Sequence, residues 1–227
     1  DILLREDAAK TLMSSVKDKT TKDYLNLIID LWNYIHKRLE SYPNHKQLKQ
    51  ILLFDYEQLF NAMRYAYLAN TIKSYANLTE YFLYQPHNMN VMINSTIDLM
   101  NHETFDIKEL GKIRKIVWSA QKLARIANAL ATWKREWKEK DYSNPLFAFL
   151  NEQNITSNNI ELDIDEFENE INQAKAINIF YKQWLANYNN LTNILKTLAL
   201  GSVNLNSYTA SMPRLLFDFH LALDGYI

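Results

Sequence analysis

The chain contains no cysteine. Disulfides, thiol nucleophiles and cysteine-based zinc sites are therefore excluded, and a reducing compartment suits it. Glycine and proline are nearly as scarce, 3 and 4 in 227 residues, against average usage of roughly 7% and 5%. So few turn residues argue against a β-sandwich, a barrel or a nucleotide fold built on glycine-rich loops. No sign of charge dominates: 25 Lys and Arg face 26 Asp and Glu, a formal net charge of -1. No long basic run is present, so nucleic acid is not an expected partner. No apolar run approaches the ~20 residues of a membrane span, so none is expected to be transmembrane. A cytoplasmic location is expected. The sequence opens on Asp1 rather than Met, which leaves room for a processed N-terminal segment. Four Asn-x-Ser/Thr matches, at Asn77, Asn94, Asn154 and Asn190, are what chance supplies in an Asn-rich chain.

What is present is core and helix. Hydrophobic residues make up 48% and charged residues 22%, a balance that supports one packed domain over 1–227. Apolar residues recur at a period of 3.6. In 22–41 they are Leu25, Ile28, Ile29, Trp32, Ile35 and Leu39, and the Tyr42-Pro43-Asn44 turn stops them. A second run extends from about Lys46 to Tyr84, with a break near Asn70–Asn77. Pro86 is expected to open a helix over 87–101. A long helix is expected from Asp106 to Lys140, and a short one from Pro145 to Leu150 after the break at 141–145. Residues 151–162 read as a polar loop. Asp163 or Asp165 then caps a helix of about 35 residues ending at Leu198. A loop at 201–207 and a final helix from Tyr208 or Pro213 to Leu223 complete the chain. The expectation is an all-α antiparallel bundle of roughly seven to nine helices.

The helix expected over 106–140 carries the chemistry. Turned by about 100° per residue, its apolar arc holds Ile113, Ile116, Val117, Ala120, Leu123, Ala124, Ala127, Leu130 and Ala131. Lys115, Ser119, Lys122 and Trp137 lie roughly opposite. Beside the arc runs a polar stripe, Arg114, Gln121, Arg125, Asn128, Thr132 and Glu136, within about a quarter of the circle. Asn128, Thr132 and Glu136 are spaced i, i+4, i+8, which stacks three oxygen donors on one face. Mg²⁺ takes such hard donors and completes its shell with water and phosphate oxygens. Arg125 and Arg135 could meet the same phosphates. The same spacing also describes a solvated helix face with one internal ion pair.

Segment Asn128-Ala-Leu-Ala-Thr-Trp-Lys-Arg-Glu136 resembles the second metal motif of class I terpene synthases. That motif has Asn or Asp, then Ser or Thr, then Glu, four apart, with a basic residue before the Glu; here it is Arg135. Upstream, Leu78-Thr-Glu-Tyr-Phe-Leu83 is similar to the family's "EYL" segment, and the break and apolar run after Glu139 also match in order. The resemblance covers roughly 75–190. It implies a class I terpenoid-synthase-like bundle that ionises a prenyl diphosphate with Mg²⁺ held by Asn128, Thr132 and Glu136. Asn128, Thr132, Glu136 and Arg135 would then be catalytic, and Arg125, Arg135 and His87 would bind diphosphate. The chain departs from the family at several points. Ala129 stands where Asp is usual, and no Asp-Asp-x-x-Asp sequence occurs. Gln85, Pro86 and His87 replace the Arg after the "EYL" segment, and the terminal Arg-Tyr pair is missing, Arg214 being the nearest arginine. Asp55, on an aromatic helix able to face the stripe, is the candidate for a further metal ligand.

Other constellations give less. His87-Asn88-Met89-Asn90 at a helix start could receive an anion, or His87 could be a buried, hydrogen-bonded side chain. His36, His45, His102 and His220 lack metal-ligand spacing. The aromatics Tyr56, Phe60, Tyr65, Tyr67, Tyr75, Tyr81, Phe82 and Tyr84 could stabilise a carbocation or simply fill a core. Two functions therefore stand: an enzyme of the terpene synthase type, or a non-catalytic bundle that binds an apolar ligand or a protein partner. Neither substrate chain length nor oligomeric state follows from the sequence.

Overall fold

The computed structural model describes residues 6–154 and 163–205, with Ser211, Pro213, Arg214 and Asp218 beyond them; for residues 6–10 it describes the backbone alone. Among the described residues the chain is all-helical, without strands. The α-helices are α1 (Glu6–Ser15), α2 (Lys19–Leu39), α3 (His45–Thr71), α4 (Leu78–Tyr84), α5 (Val91–Asn101), α6 (Leu110–Lys138), α7 (Pro145–Glu152), α8 (Ile164–Gln173) and α9 (Ala176–Thr197). Short 3₁₀ turns at Lys73–Tyr75, Gln85–Met89 and Ile107–Glu109 join some of them. No helix is long and apolar enough to cross a membrane among the described residues.

Side-chain caps define four of the α-helix starts. Asp18 accepts from the Thr21 amide at 2.6 Å, and Asn77 from the Glu80 amide at 2.9 Å. Asn144 receives the Leu146 amide at 2.9 Å, with Pro145 at the first helical position. Asp163 and Glu166 close a reciprocal capping box on α8.

Helix α6 is the central element. The Asp55–Arg114 and Asn70–Asp141 contacts run α3 alongside it in the same direction. Met92 meets Gln121 and Thr96 meets Arg114, so α5 runs the opposite way. Glu109, just before α6, binds Gly201 and Ser202 beyond α9, while Trp137 near its end stacks on Phe167 of α8. The α8–α9 arm is therefore antiparallel to α6. Two apolar clusters flank α6. One gathers Ile116, Leu123, Ala127 and Leu130 with Tyr81, Phe147, Ile171 and Phe180. The other gathers Ile113 and Val117 with Leu48, Leu52, Leu99 and Met100.

Two helix boundaries and one helix face differ from the sequence reading. The helix expected from Asp165 to Leu198 is two helices, broken at Lys175, whose φ is 53°. A continuous helix would set Ile171 and Ala176 about 140° apart. The break resets the phase, so Phe167, Ile171, Ala176, Phe180 and Trp184 are all buried. The helix expected from 87 begins only at Val91, because Asn90 turns left-handed with φ 59° and Pro86 belongs to a 3₁₀ turn. Such a turn is tolerable for Asn. Trp137, expected opposite the apolar arc, stacks face to face on Phe167 at 3.7 Å, since α8 packs on that side. Helix α1 was not legible as a separate element. Part of the loop 151–162 and most of the final helix expected to Leu223 lie outside the described residues.

Candidate functional site

The polar stripe of α6 faces inward. Gln121, Arg125, Thr132 and Glu136 are buried, and Arg114 and Asn128 are half-buried. This excludes a solvated face. Helix α6 packs against α5, α7, α8, α9 and the 3₁₀ turn Gln85–Met89, with Tyr81 of α4 against Arg125 and Asp55 of α3 against Arg114, so even its third stripe meets protein.

The C-terminal half of the stripe forms one hydrogen-bonded network. Arg125 Nη1 donates to Asn128 Oδ1 at 2.7 Å. The Thr132 hydroxyl lies 2.8 Å from the Asn128 carbonyl and 2.7 Å from Glu136 Oε1. Asn144 Nδ2, from the turn before α7, donates to Glu136 Oε2 at 2.6 Å and to the Ala129 carbonyl at 3.1 Å. The three oxygen-bearing residues expected to act together are thus brought together, and Arg125 with them. Asn144 was missed as a partner: in the sequence it marks only a break before Pro145. Its signal was its place eight residues after Glu136, across a turn short enough to fold back.

Arg125 is 6% exposed. Its guanidinium lies 5.5 Å from the Tyr81 ring centroid. Among the described residues no carboxylate stands within ion-pair distance of it, and its Nε has no hydrogen-bond partner. Burial works against its charge, but Tyr81 and the more distant Glu136 and Asp141 carboxylates outweigh that and hold the guanidinium above its ordinary value. Burial in turn pushes the Tyr81 hydroxyl well up, so it stays protonated. The network therefore holds a buried, fully charged cation whose nearest acceptor is a neutral amide.

The other expected residues lie elsewhere. Asp55 receives Arg114 through two bonds, 2.6 Å and 2.9 Å, and the Thr96 hydroxyl at 2.7 Å. It does face the stripe, but at Arg114, about 21 Å along the helix from Asn128. His87 rests on Trp118 with centroids 4.6 Å apart. Burial first, and Arg114 with it, lower its pKa, with Asp55 opposing. Asp55 and His87 thus belong to a second centre. Arg135 is 27% exposed and sits 3.9 Å from Glu139.

The donor types of Asn128, Thr132 and Glu136 suit a hard cation, but only one is charged, so a cation there would need phosphate and water oxygens as well. Among the described residues no group of three His, Cys, Asp or Glu could hold a metal ion. A cavity of about 490 Å³ lies between Ile116 and residues 195–205. Ile116 is about 18 Å along α6 from Asn128, so this cavity does not adjoin the network. Comparisons with protein-family models, curated proteins and solved structures find no match to this chain.

Proposed function

We propose that the protein is a terpene synthase-like bundle whose Arg125–Asn128–Thr132–Glu136 network receives the diphosphate of a prenyl substrate together with Mg²⁺. The observation that carries this reading is the buried Arg125 guanidinium, bonded to an amide oxygen instead of a carboxylate. A buried cation left so is costly unless an anion completes it. Diphosphate offers Arg125 a stronger, bidentate acceptor than Asn128 Oδ1. When Arg125 turns to it, Asn128 Oδ1 is released beside Thr132 and Glu136. A divalent cation, when bound there, would neutralise charge on the leaving group. Thr132 orients Glu136, and Asn144 fixes its second oxygen. Tyr81, against Arg125, supplies an aromatic face beside the same point.

This order has a consequence. With Arg125 seated on Asn128, a cation at that oxygen meets a guanidinium charge. Metal alone should bind weakly, and metal with diphosphate should bind as one linked event. Thermal melting tests this. Mg²⁺ and inorganic diphosphate together, at about 100 times their Kd, should stabilise by ~2.7 kcal/mol and raise Tm by roughly 5–11 °C. Either alone should raise it less. No shift under any combination would overturn the reading.

A second reading is a bundle of the same kind that binds without ionising its ligand. It is favoured by the engagement of both Glu136 oxygens within the chain, at 2.7 Å and 2.6 Å.

A further inference from the structure

Helix α2 is apolar on two faces. On the inner face Trp32 meets Tyr56 of α3 edge-on at 4.7 Å, and Leu39 is buried. On the outer face Tyr24, Leu27, Leu31 and Tyr34 are 62%, 64%, 56% and 61% exposed. Scattered exposed leucines need no explanation, but these four form a contiguous stripe. Their spacing, i, i+3, i+7, i+10, is the a/d seam of a two-helix coil.

We propose that this outer face is a self-docking surface, on which a second copy of the chain lays its own α2 antiparallel. The charges beside the seam select the occupant and its direction. Asp23, Asp30 and Lys37 are exposed and repeat every seven residues along one edge. A parallel pair would set Arg38, the next seam position, against Arg38 of the second copy. An antiparallel pair that centres Leu27 on Leu31 of the second copy also sets Tyr24 on Tyr34 and Arg38 on Thr20. It brings Asp23 beside Lys37 of the second copy, and two-fold symmetry repeats that contact. Of the edge charges, Asp30 alone meets its own equivalent. The stripe and neighbouring Ile35 expose on the order of 500 Å² per copy. The dimer then buries about 1,000 Å² in total, the lower bound of a specific interface. Micromolar self-association is the strength to expect.

Sedimentation velocity over roughly 1–200 µM reads this directly, as a mass average climbing from one chain toward two. Leu27→Asp combined with Leu31→Asp should leave the protein monomeric with unchanged helical circular dichroism, because both side chains are already exposed. Asp23→Lys and Lys37→Asp should each weaken association by about tenfold. Mixing those two single variants should restore it, as should the double exchange within one chain. A protein monomeric across the whole range would overturn the proposal. So would a dimer that survives the leucine changes, or charge exchanges that fail to recover association.

Discussion

Helix α6 carries two polar centres about 21 Å apart, and they are built on opposite plans. At the first, Arg114 meets Asp55 through two hydrogen bonds, and Thr96 holds one of the same oxygens. Charge cancels charge. At the second, Arg125 meets the amide of Asn128, while the carboxylate of Glu136 is held by a hydroxyl and an amide. There, opposite charges sit on one network without direct contact. A closed pair of the first kind fixes helices. An open arrangement of the second kind leaves a buried cation able to change partners. Both grow from one stripe of one helix, so residue type and spacing do not separate a closed centre from an open one. What stands opposite the stripe does.

The largest effect should come from breaking the closed pair. Arg114→Met leaves Asp55 buried and unpaired and should cost about 3 kcal/mol in chemical denaturation. It should leave diphosphate binding intact once the folded fraction is accounted for. Equal stability to the parent would show that the pair does not tie α3 to α6. Next comes Asn144→Ala, expected to cost about 2 kcal/mol, because it removes both the cap of α7 and the donor to Glu136 Oε2. A loss below about 0.5 kcal/mol would mean that water replaces both bonds. Glu136 is buried, not on the surface, so Glu136→Gln is a better probe of the network than an alanine that would open a void. Arg125→Met should change stability by less than about 1 kcal/mol, since it removes a cation without stranding a carboxylate. The contrast between Arg114→Met and Arg125→Met is the sharpest mutational test of the two plans.

The smallest effect concerns the end of the α6–α9 pairing. Half-buried Glu109 accepts from the Ser202 hydroxyl and from the Gly201 and Ser202 amides, which lowers its pKa from 4.5 to about 2. A lowered carboxyl pKa contributes stability that is fully present above 4.5 and lost as pH falls through about 2. The amide resonances of Gly201 and Ser202 should therefore titrate near pH 2, and Glu109→Gln should remove that step. A midpoint near 4.5 would show that the three bonds do not persist in solution.

The helical character and the α6 stripe were legible because both are periodic, and period survives in a single sequence. Asn128, Thr132, Glu136 and Arg125 could be grouped on that ground alone. Their depth could not, because burial of a third face depends on α4 and α7 folding back across it. Asn144 was hidden for a related reason: a loop residue has no period, and Pro145 after it reads as punctuation. The break at Lys175 was hidden because apolar residues lie on both sides of it in two separate phases, each regular by itself. Asp55 lies on a helix able to face the stripe, but the sequence does not say which turn of α6 it reaches.

Calorimetry on the parent protein and on Arg125→Met tests the open centre most directly. The parent should take up Mg²⁺ and inorganic diphosphate together at least tenfold more tightly than either alone, and Arg125→Met should lose that gain while melting within a few degrees of the parent. Tight Mg²⁺ binding without diphosphate, or joint binding undiminished in Arg125→Met, would contradict a site organised around the buried Arg125.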